Sequence, residues 1–186
     1  MIFGQALAAF MTSSIPKGYL LLNEVTSVGA NSKVIEALPV PGGFFFLING
    51  SKEEVTAAYR KALELKGKPF LEIINLALIE TVHPEILPGV FSQLQVAVAD
   101  GLICASFADP VEALKEAQAL LSSSSHHLID LRLFVKEPHF FVTGGEAGLV
   151  ESTDQFKSVT TGDWELITNP TPEFLSFFNL SSTKQL

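Results

Sequence analysis

Few side chains in this 186-residue sequence have both the type and the spacing that enzyme chemistry requires. His83 lies between Glu80 and Glu85, and a histidine beside a carboxylate can act as a general base. Ser13 or Ser14 would be the candidates for a nucleophile. No G-x-S-x-G, P-loop, H-E-x-x-H or dinucleotide-binding fingerprint accompanies them. We therefore predict that the protein is not an enzyme and that His83 shapes a turn.

Metal and redox chemistry have equally little support. Cys104 is the single cysteine, and its apolar surroundings in the run LICA favour a buried strand thiol. One cysteine excludes an internal disulfide and an all-cysteine metal site within one chain. His126 and His127 are adjacent, but no nearby cysteine or second acidic partner completes a site. A solvated or edge position is therefore predicted for both histidines, with no metal and no cofactor.

Composition and charge narrow the class of protein further. Hydrophobic residues make up 47% and charged residues 17%, so the chain can bury a sizeable core. The net charge is −8, and residues 92–186 hold most of it, with five basic against twelve acidic side chains. The absence of a basic patch argues against nucleic-acid binding. No apolar run is long enough for a membrane span, and the N-terminus lacks a basic n-region, so a cytosolic protein is expected.

Capping patterns predict the first residues of two helices. Ser51 stands three residues before Glu54, the spacing of a capping box, and an amphipathic stretch follows. Asp109 precedes Pro110, which combines a favoured N-cap residue with proline at the first helical position. Each helix follows an apolar run that is typical of a strand.

The elements repeat along the chain. Residues 1–91 read strand, helix, strand, turn, strand, helix, strand, and residues 92–186 read the same. Both halves place Phe-Phe just after a proline-containing turn, and both end in P-E-[IF]-L. The order βαββαβ, found twice, predicts an α+β fold of two tandem ferredoxin-like sandwiches with helices covering a mainly antiparallel sheet. We expect the domains to be 1–91 and 92–186.

These segments resemble the bacterial microcompartment (BMC) shell proteins of the tandem-domain type. Within that family the chain is most similar to the trimeric members of propanediol-utilisation shells that carry an iron–sulfur cluster. The resemblance runs without gaps from Gln5 through Gly50, including SSIPKGYLLL and SKVIEALPVPGGFFFLINGS, and continues at VHPEILPGV. It covers nearly the whole chain and is weakest in the last third. Its strength lies in the order and duplication of segments rather than in a single motif.

The resemblance implies a structural protein of a microcompartment shell. Each chain would supply two of the six wedges of a homotrimeric pseudohexamer, and such discs would assemble with other shell proteins around enzymes. The turn between the second and third strands of each half would line a central pore for small metabolites. Crowding at a symmetry axis favours Gly and Pro, which explains the composition of the first turn. The expected pore-lining residues are Pro39, Val40, Pro41, Gly42, Gly43, Lys136, Glu137, Pro138 and His139.

The chain departs from the family pattern at two places. Val40 stands where the cluster-bearing members have a cysteine, so no iron–sulfur cluster is expected at this pore. The family also keeps an edge lysine late in the first helix, where this chain has Ser27 and, in its second half, a residue within 120–122 that is not lysine. Flat tiling of discs would then need other contacts.

Two alternatives stay open at this point. Repeated βαββαβ units also occur in small oligomeric regulatory proteins that bind metabolites at subunit clefts. The turn Lys136–His139 is equally compatible with a charged collar around a pore and with an ordinary surface turn. For Pro39–Gly43, the local sequence alone favours an ordinary hairpin turn before a core strand.

Overall fold

The computed structural model describes residues 4–29 and 31–177, which form two compact units. The first unit contains the described residues up to Val82 together with Phe134–Lys136. The second contains His83–Leu133 and the described residues from Glu137 onward. The predicted domain boundary after residue 91 separates two sequence repeats, and the division into spatial units does not test it. It stays a prediction. In the described part of the chain, no helix is long and apolar enough to cross a bilayer.

The first unit is one four-stranded antiparallel sheet in the order β2-β3-β1-β4. Its two helices pack on one face of the sheet, where Leu21 and Val25 from one helix meet Phe10 and Phe46 from the central strands. The elements of this unit are β1 (Ala6–Thr12), α1 (Ile15–Thr26), β2 (Lys33–Val40), β3 (Gly43–Gly50), α2 (Lys52–Leu65) and β4 (Ile73–Ile79).

The second unit has the same strand arrangement, a four-stranded antiparallel sheet in the order β6-β7-β5-β8. Its aromatic core stacks Phe156 on Trp164 and sets Phe140 edge-on to the same indole. The elements of this unit are α3 (Ile86–Val90), β5 (Gly101–Ser106), α4 (Pro110–Ser123), β6 (His127–Arg132), β7 (His139–Gly144), α5 (Glu146–Lys157), β8 (Asp163–Thr168) and α6 (Pro172–Phe177).

Both predicted helix starts are confirmed. The Ser51 side chain accepts a hydrogen bond from the Glu54 amide, and the Glu54 carboxylate accepts one from the Ser51 amide. At α4, the Asp109 carboxylate accepts from the amide of Val111 at 2.6 Å. Each carboxylate or hydroxyl satisfies an amide that the first helical turn leaves without a partner.

The two sheets share their register as well as their order. In the first sheet Ala37 pairs with Phe46, and in the second Leu131 pairs with Phe140. Each edge strand has its irregularity at the same place, after Val34 in β2 and after Leu128 in β6. An extra residue in one strand reverses the side-chain alternation there, which explains why the consecutive residues Leu128 and Ile129 are both buried.

The strand Phe44–Phe46 is fully buried on both faces, as its unbroken apolar run predicts. All three phenylalanines have no exposed surface, and the paired strand β1 is buried along its whole length. Phe44 lies under α1, where the ring of Tyr19 is 4.9 Å away, and Phe46 stacks on Phe10 at the same distance. This double burial fixes the strand that carries the first turn.

Candidate functional site

The first predicted pore turn is a tight bend between β2 and β3. Val40 pairs with Gly43, which leaves Pro41 and Gly42 at the tip. Proline fits the first tip position because its φ is fixed, and Gly42 has φ of +86°, which a side chain disfavours. Both tip residues are exposed, whereas Val40 is 9% exposed and lies beneath them.

Gly43 is required for a different reason, the close approach of another strand. A Cβ atom at this position would overlap the carbonyl oxygen of Thr12, at the end of β1. The bend therefore presents two exposed residues with little side chain on a backbone held by proline and by contact with the sheet. Such a bend can lie close to other chains without steric conflict.

The second bend has the same length but a different form. Arg132 pairs with His139 as Leu38 pairs with Phe45, so six residues connect each pair. Pairing stops at that point in the second sheet, whereas the first sheet continues to Val40 and Gly43. By this register Val135 and Lys136 correspond to the tip residues Pro41 and Gly42, and His139 corresponds to a residue inside β3.

The side chains of the second bend differ in exposure. Lys136 and Glu137 are exposed, His139 is half-buried, and Pro138 is buried. The Pro138 carbonyl accepts a hydrogen bond from the Phe107 amide at 2.8 Å. His139 donates from Nδ1 to the Glu137 carbonyl at 2.8 Å, which assigns the other ring nitrogen as the acceptor in the neutral form.

The structure distributes the nine predicted lining residues over both units. Pro39–Gly43 lie at one end of the first sheet, and Lys136 groups with the same unit. Glu137–His139 belong to the second unit. The sequence prediction omitted Val135, the counterpart of Pro41 by register, because it aligned the Phe-Phe pairs by their distance from proline. Counting back from the paired strand residues Phe45 and His139 would have identified it.

The candidate nucleophile Ser13 is occupied by a structural network. Its hydroxyl donates to Glu72 at 2.8 Å and accepts from Lys17 at 3.2 Å, while Lys17 also pairs with Glu72 at 2.8 Å. The hydrogen bond from Lys17, followed by that from Ser13, lowers the pKa of the Glu72 carboxyl. A carboxylate stabilised in its ionised form is a weaker base, so the geometry does not activate the serine.

The candidate base His83 shapes a turn, as predicted. Its Nδ1 accepts from the Glu85 amide at 3.4 Å, and its own amide donates to the Gln118 side chain at 2.9 Å. The neighbouring carboxylates are engaged elsewhere, since Glu80 pairs with Lys52 at 2.7 Å and Glu85 binds residues of β6.

The prediction that both His126 and His127 are solvated or at an edge is wrong for His126. That residue is 5% exposed, its Nε2 is 2.9 Å from the Ser152 hydroxyl, and its ring packs over Gly144 and Gly148. Burial lowers the pKa of the His126 imidazole, opposed by a hydrogen bond to the Gly148 backbone and reinforced by His127. His127 is exposed at the start of the edge strand β6, as predicted.

Cys104 lies in β5 and is half-buried rather than fully buried. Burial, followed by the charges of Asp163 and Glu137, raises the pKa of its thiol, so the reactive thiolate is disfavoured. Within residues 4–29 and 31–177, no group of three or more His, Cys, Asp or Glu side chains is arranged to hold a metal ion.

Aligning the first helix of each half identifies the positions at which the resemblance implies an edge lysine. The N-caps Ser14 and Asp109 correspond, so Ser27 at the end of α1 corresponds to Ser122 in α4. Both serines are exposed, and neither offers the long cationic side chain that the resemblance implies at this place.

One solved structure shares this fold over most of the chain. It is a microcompartment protein from Desulfitobacterium hafniense DCB, with a TM-score of 0.75 and 16% sequence identity, covering 91% of this chain and 97% of its own. A putative glycine cleavage system transcriptional repressor covers 91% of this chain and all of its own, but with a TM-score of 0.32 and 12% identity. No protein-family model and no curated protein sequence matches this chain.

Proposed function

We propose that this protein is a structural component of a bacterial microcompartment shell and has no catalytic role. Three chains form a pseudohexameric disc in which the two halves of each chain, products of a duplication, alternate around the centre. The bends Pro39–Gly43 and Lys136–His139 line a central pore that small metabolites cross. The discs associate with other shell proteins at the boundary of the compartment.

One observation carries this proposal: the fold agrees with that of a microcompartment protein over 91% of the chain at a TM-score of 0.75. Equal strand order and register in the two sheets support a duplicated wedge. The regulatory alternative is less well supported, because the similarity to the transcriptional repressor has a TM-score of only 0.32.

The exposed surface of the first unit favours self-association. Among the described residues, this unit holds nine of the eleven large apolar side chains that are exposed, including Tyr19 at 58% and Phe70 at 56%. Monomeric proteins rarely expose many such side chains on one part of their surface. A ring of copies would remove part of this apolar area from water.

The experiment is sedimentation velocity on the purified protein, followed by negative-stain electron microscopy of concentrated samples. We expect a trimer in the centrifuge and discs with a threefold centre in the micrographs. A monomer that stays monomeric at high concentration would refute the proposal. A ligand-stabilised dimer that never forms discs would favour the regulatory alternative.

A further inference from the structure

The edge strand of the second sheet is covered by a short helix, whereas no described helix covers the equivalent strand of the first sheet in this way. In β6, Leu128 and Leu131 have no exposed surface. Gly89 of α3 lies against both, so close that a side chain there would overlap Leu128. In β2 the position equivalent to Leu128 is Val34, which is 42% exposed.

One carboxylate anchors this cover to the strand. Glu85, at the start of α3, accepts a hydrogen bond from the Leu128 amide at 2.7 Å and lies 2.9 Å from Nδ1 of His127. The amide belongs to the free edge of the sheet, so the carboxylate satisfies a donor that no strand pairs. The contact fixes both the position and the direction of α3.

In the first sheet, no side chain among the described residues hydrogen-bonds the equivalent edge amide. Because β2 and β6 share their register and their bulge, the Val34 amide points away from β3 as the Leu128 amide points away from β7. Lys33 stands at the position of His127 and is exposed. The uncovered edge therefore offers a backbone donor beside an exposed lysine side chain.

The chain also contains a second copy of the covering segment. Pro172-Glu173-Phe174-Leu175 repeats the order of Pro84-Glu85-Ile86-Leu87. The residue before each segment accepts a hydrogen bond from an amide within it, although at different positions: the Thr171 hydroxyl accepts from Phe174 at 3.2 Å, and His83 Nδ1 accepts from Glu85 at 3.4 Å. Leu175 is buried against Leu102 and Ile129, whereas Glu173 is exposed.

We propose that Glu173 of one copy anchors to the β2 edge of a second copy of this chain. Its carboxylate accepts from the Val34 amide and pairs with Lys33, which repeats the contact that Glu85 makes with Leu128 and His127. A second copy is the expected occupant because Glu173 and Lys33 have opposite charges and because Glu85 already makes the equivalent contact within the chain. Such a head-to-tail contact uses two different surfaces, and it forms a ring when the rotation between copies closes. It rests on the proposed trimer, because it needs a neighbouring copy in that ring.

The test is a charge exchange read out by sedimentation equilibrium. Lys33→Glu and Glu173→Lys, made singly, should each raise the concentration at which the trimer dissociates by roughly tenfold. The double exchange should recover part of that loss, because it restores opposite charges at the two positions, whereas a lysine cannot accept from the Val34 amide. The matched controls, Lys68→Glu and Glu151→Lys, change equally exposed charges outside the contact and should leave dissociation unchanged. Thermal melts followed by circular dichroism establish that every variant is folded.

The outcomes separate this contact from the shell function. A trimeric parent whose dissociation responds equally to test and control variants overturns the contact and leaves the proposed function standing. Loss in both single variants without recovery in the double exchange overturns the pairing of Lys33 with Glu173. A parent that does not form trimers overturns the proposed function together with the contact.

Discussion

Two equivalent buried positions, one in each half, satisfy nearby backbone groups with different polar side chains. Asn49 accepts from the Gly4 amide at 2.6 Å and donates to the Ala6 carbonyl at 2.7 Å. At the equivalent place Thr143 accepts from the Ala99 amide and donates to the Gly101 carbonyl. An amide and a hydroxyl both combine donor and acceptor, so either satisfies the backbone where the chain enters the central strand.

Replacement of Thr143 should be costly because its hydrogen bonds are buried. Thr143→Val keeps the shape but leaves the Ala99 amide and the Gly101 carbonyl without this partner, so the free energy of unfolding should fall by about 1–3 kcal/mol. Urea denaturation followed by circular dichroism measures the change. Thr56→Val is the matched control, because the buried Thr56 hydroxyl makes no hydrogen bond to the described residues, and this change should be neutral or stabilising. Equal losses in both variants would contradict the role of Thr143.

His126 should make stability depend on pH in a known direction. Since burial lowers the pKa of its imidazole, the unfolded chain binds a proton that the folded protein does not. The stabilisation is fully present above pH 6.5 and is lost as the pH falls from there to the folded-state pKa, by at most about 1.4 kcal/mol per pH unit.

The measurement compares urea denaturation of the parent and of His126→Asn between pH 7.5 and pH 5. The His126→Asn variant should lose this part of the slope. Ser152→Ala keeps the imidazole but removes its hydrogen-bonding partner, so stability should fall at every pH while the slope persists. Identical slopes in the parent and His126→Asn would contradict the assignment.

At the scale of elements, the first bend depends on a glycine whose role differs from that of its neighbours. Gly43→Ala would place a methyl group on the Thr12 carbonyl, and the strand ends would have to separate. We expect a loss of at least about 2 kcal/mol in the free energy of unfolding, as for other substitutions that force backbone shifts. Calorimetric or denaturant unfolding provides the measurement.

Pro41→Ala is the control for the same bend. The residue is exposed and its backbone suits alanine, so the change should act mainly through the flexibility of the unfolded chain and cost under about 1 kcal/mol. If Gly43→Ala is tolerated as well as Pro41→Ala, the close approach of β1 does not constrain the bend.

At the scale of the whole molecule, the pore can be tested separately from the trimer. In a Cys104→Ala background, Pro41→Cys places a thiol at the tip of the exposed bend. If three such bends surround one axis, a short bis-maleimide should join the single thiols of two copies, giving covalent dimers on a denaturing gel. Lys68→Cys, in the exposed connection between α2 and β4, is the control and should stay unlinked. A trimer in centrifugation whose Pro41→Cys variant is not linked would place the bends away from the axis.

Sequence and tertiary structure decided different parts of this protein. Periodicity and caps determined the element order, because helix starts such as Ser51 and apolar runs such as Phe44–Phe46 act locally. Only the folded register showed that His139 lies within a strand, that Val135 is the counterpart of Pro41, and that His126 is buried, because strand pairing and ring packing join residues far apart in sequence. The same physical reason hid the anchor of Glu85 on β6, which depends on an unpaired strand edge that no local pattern marks.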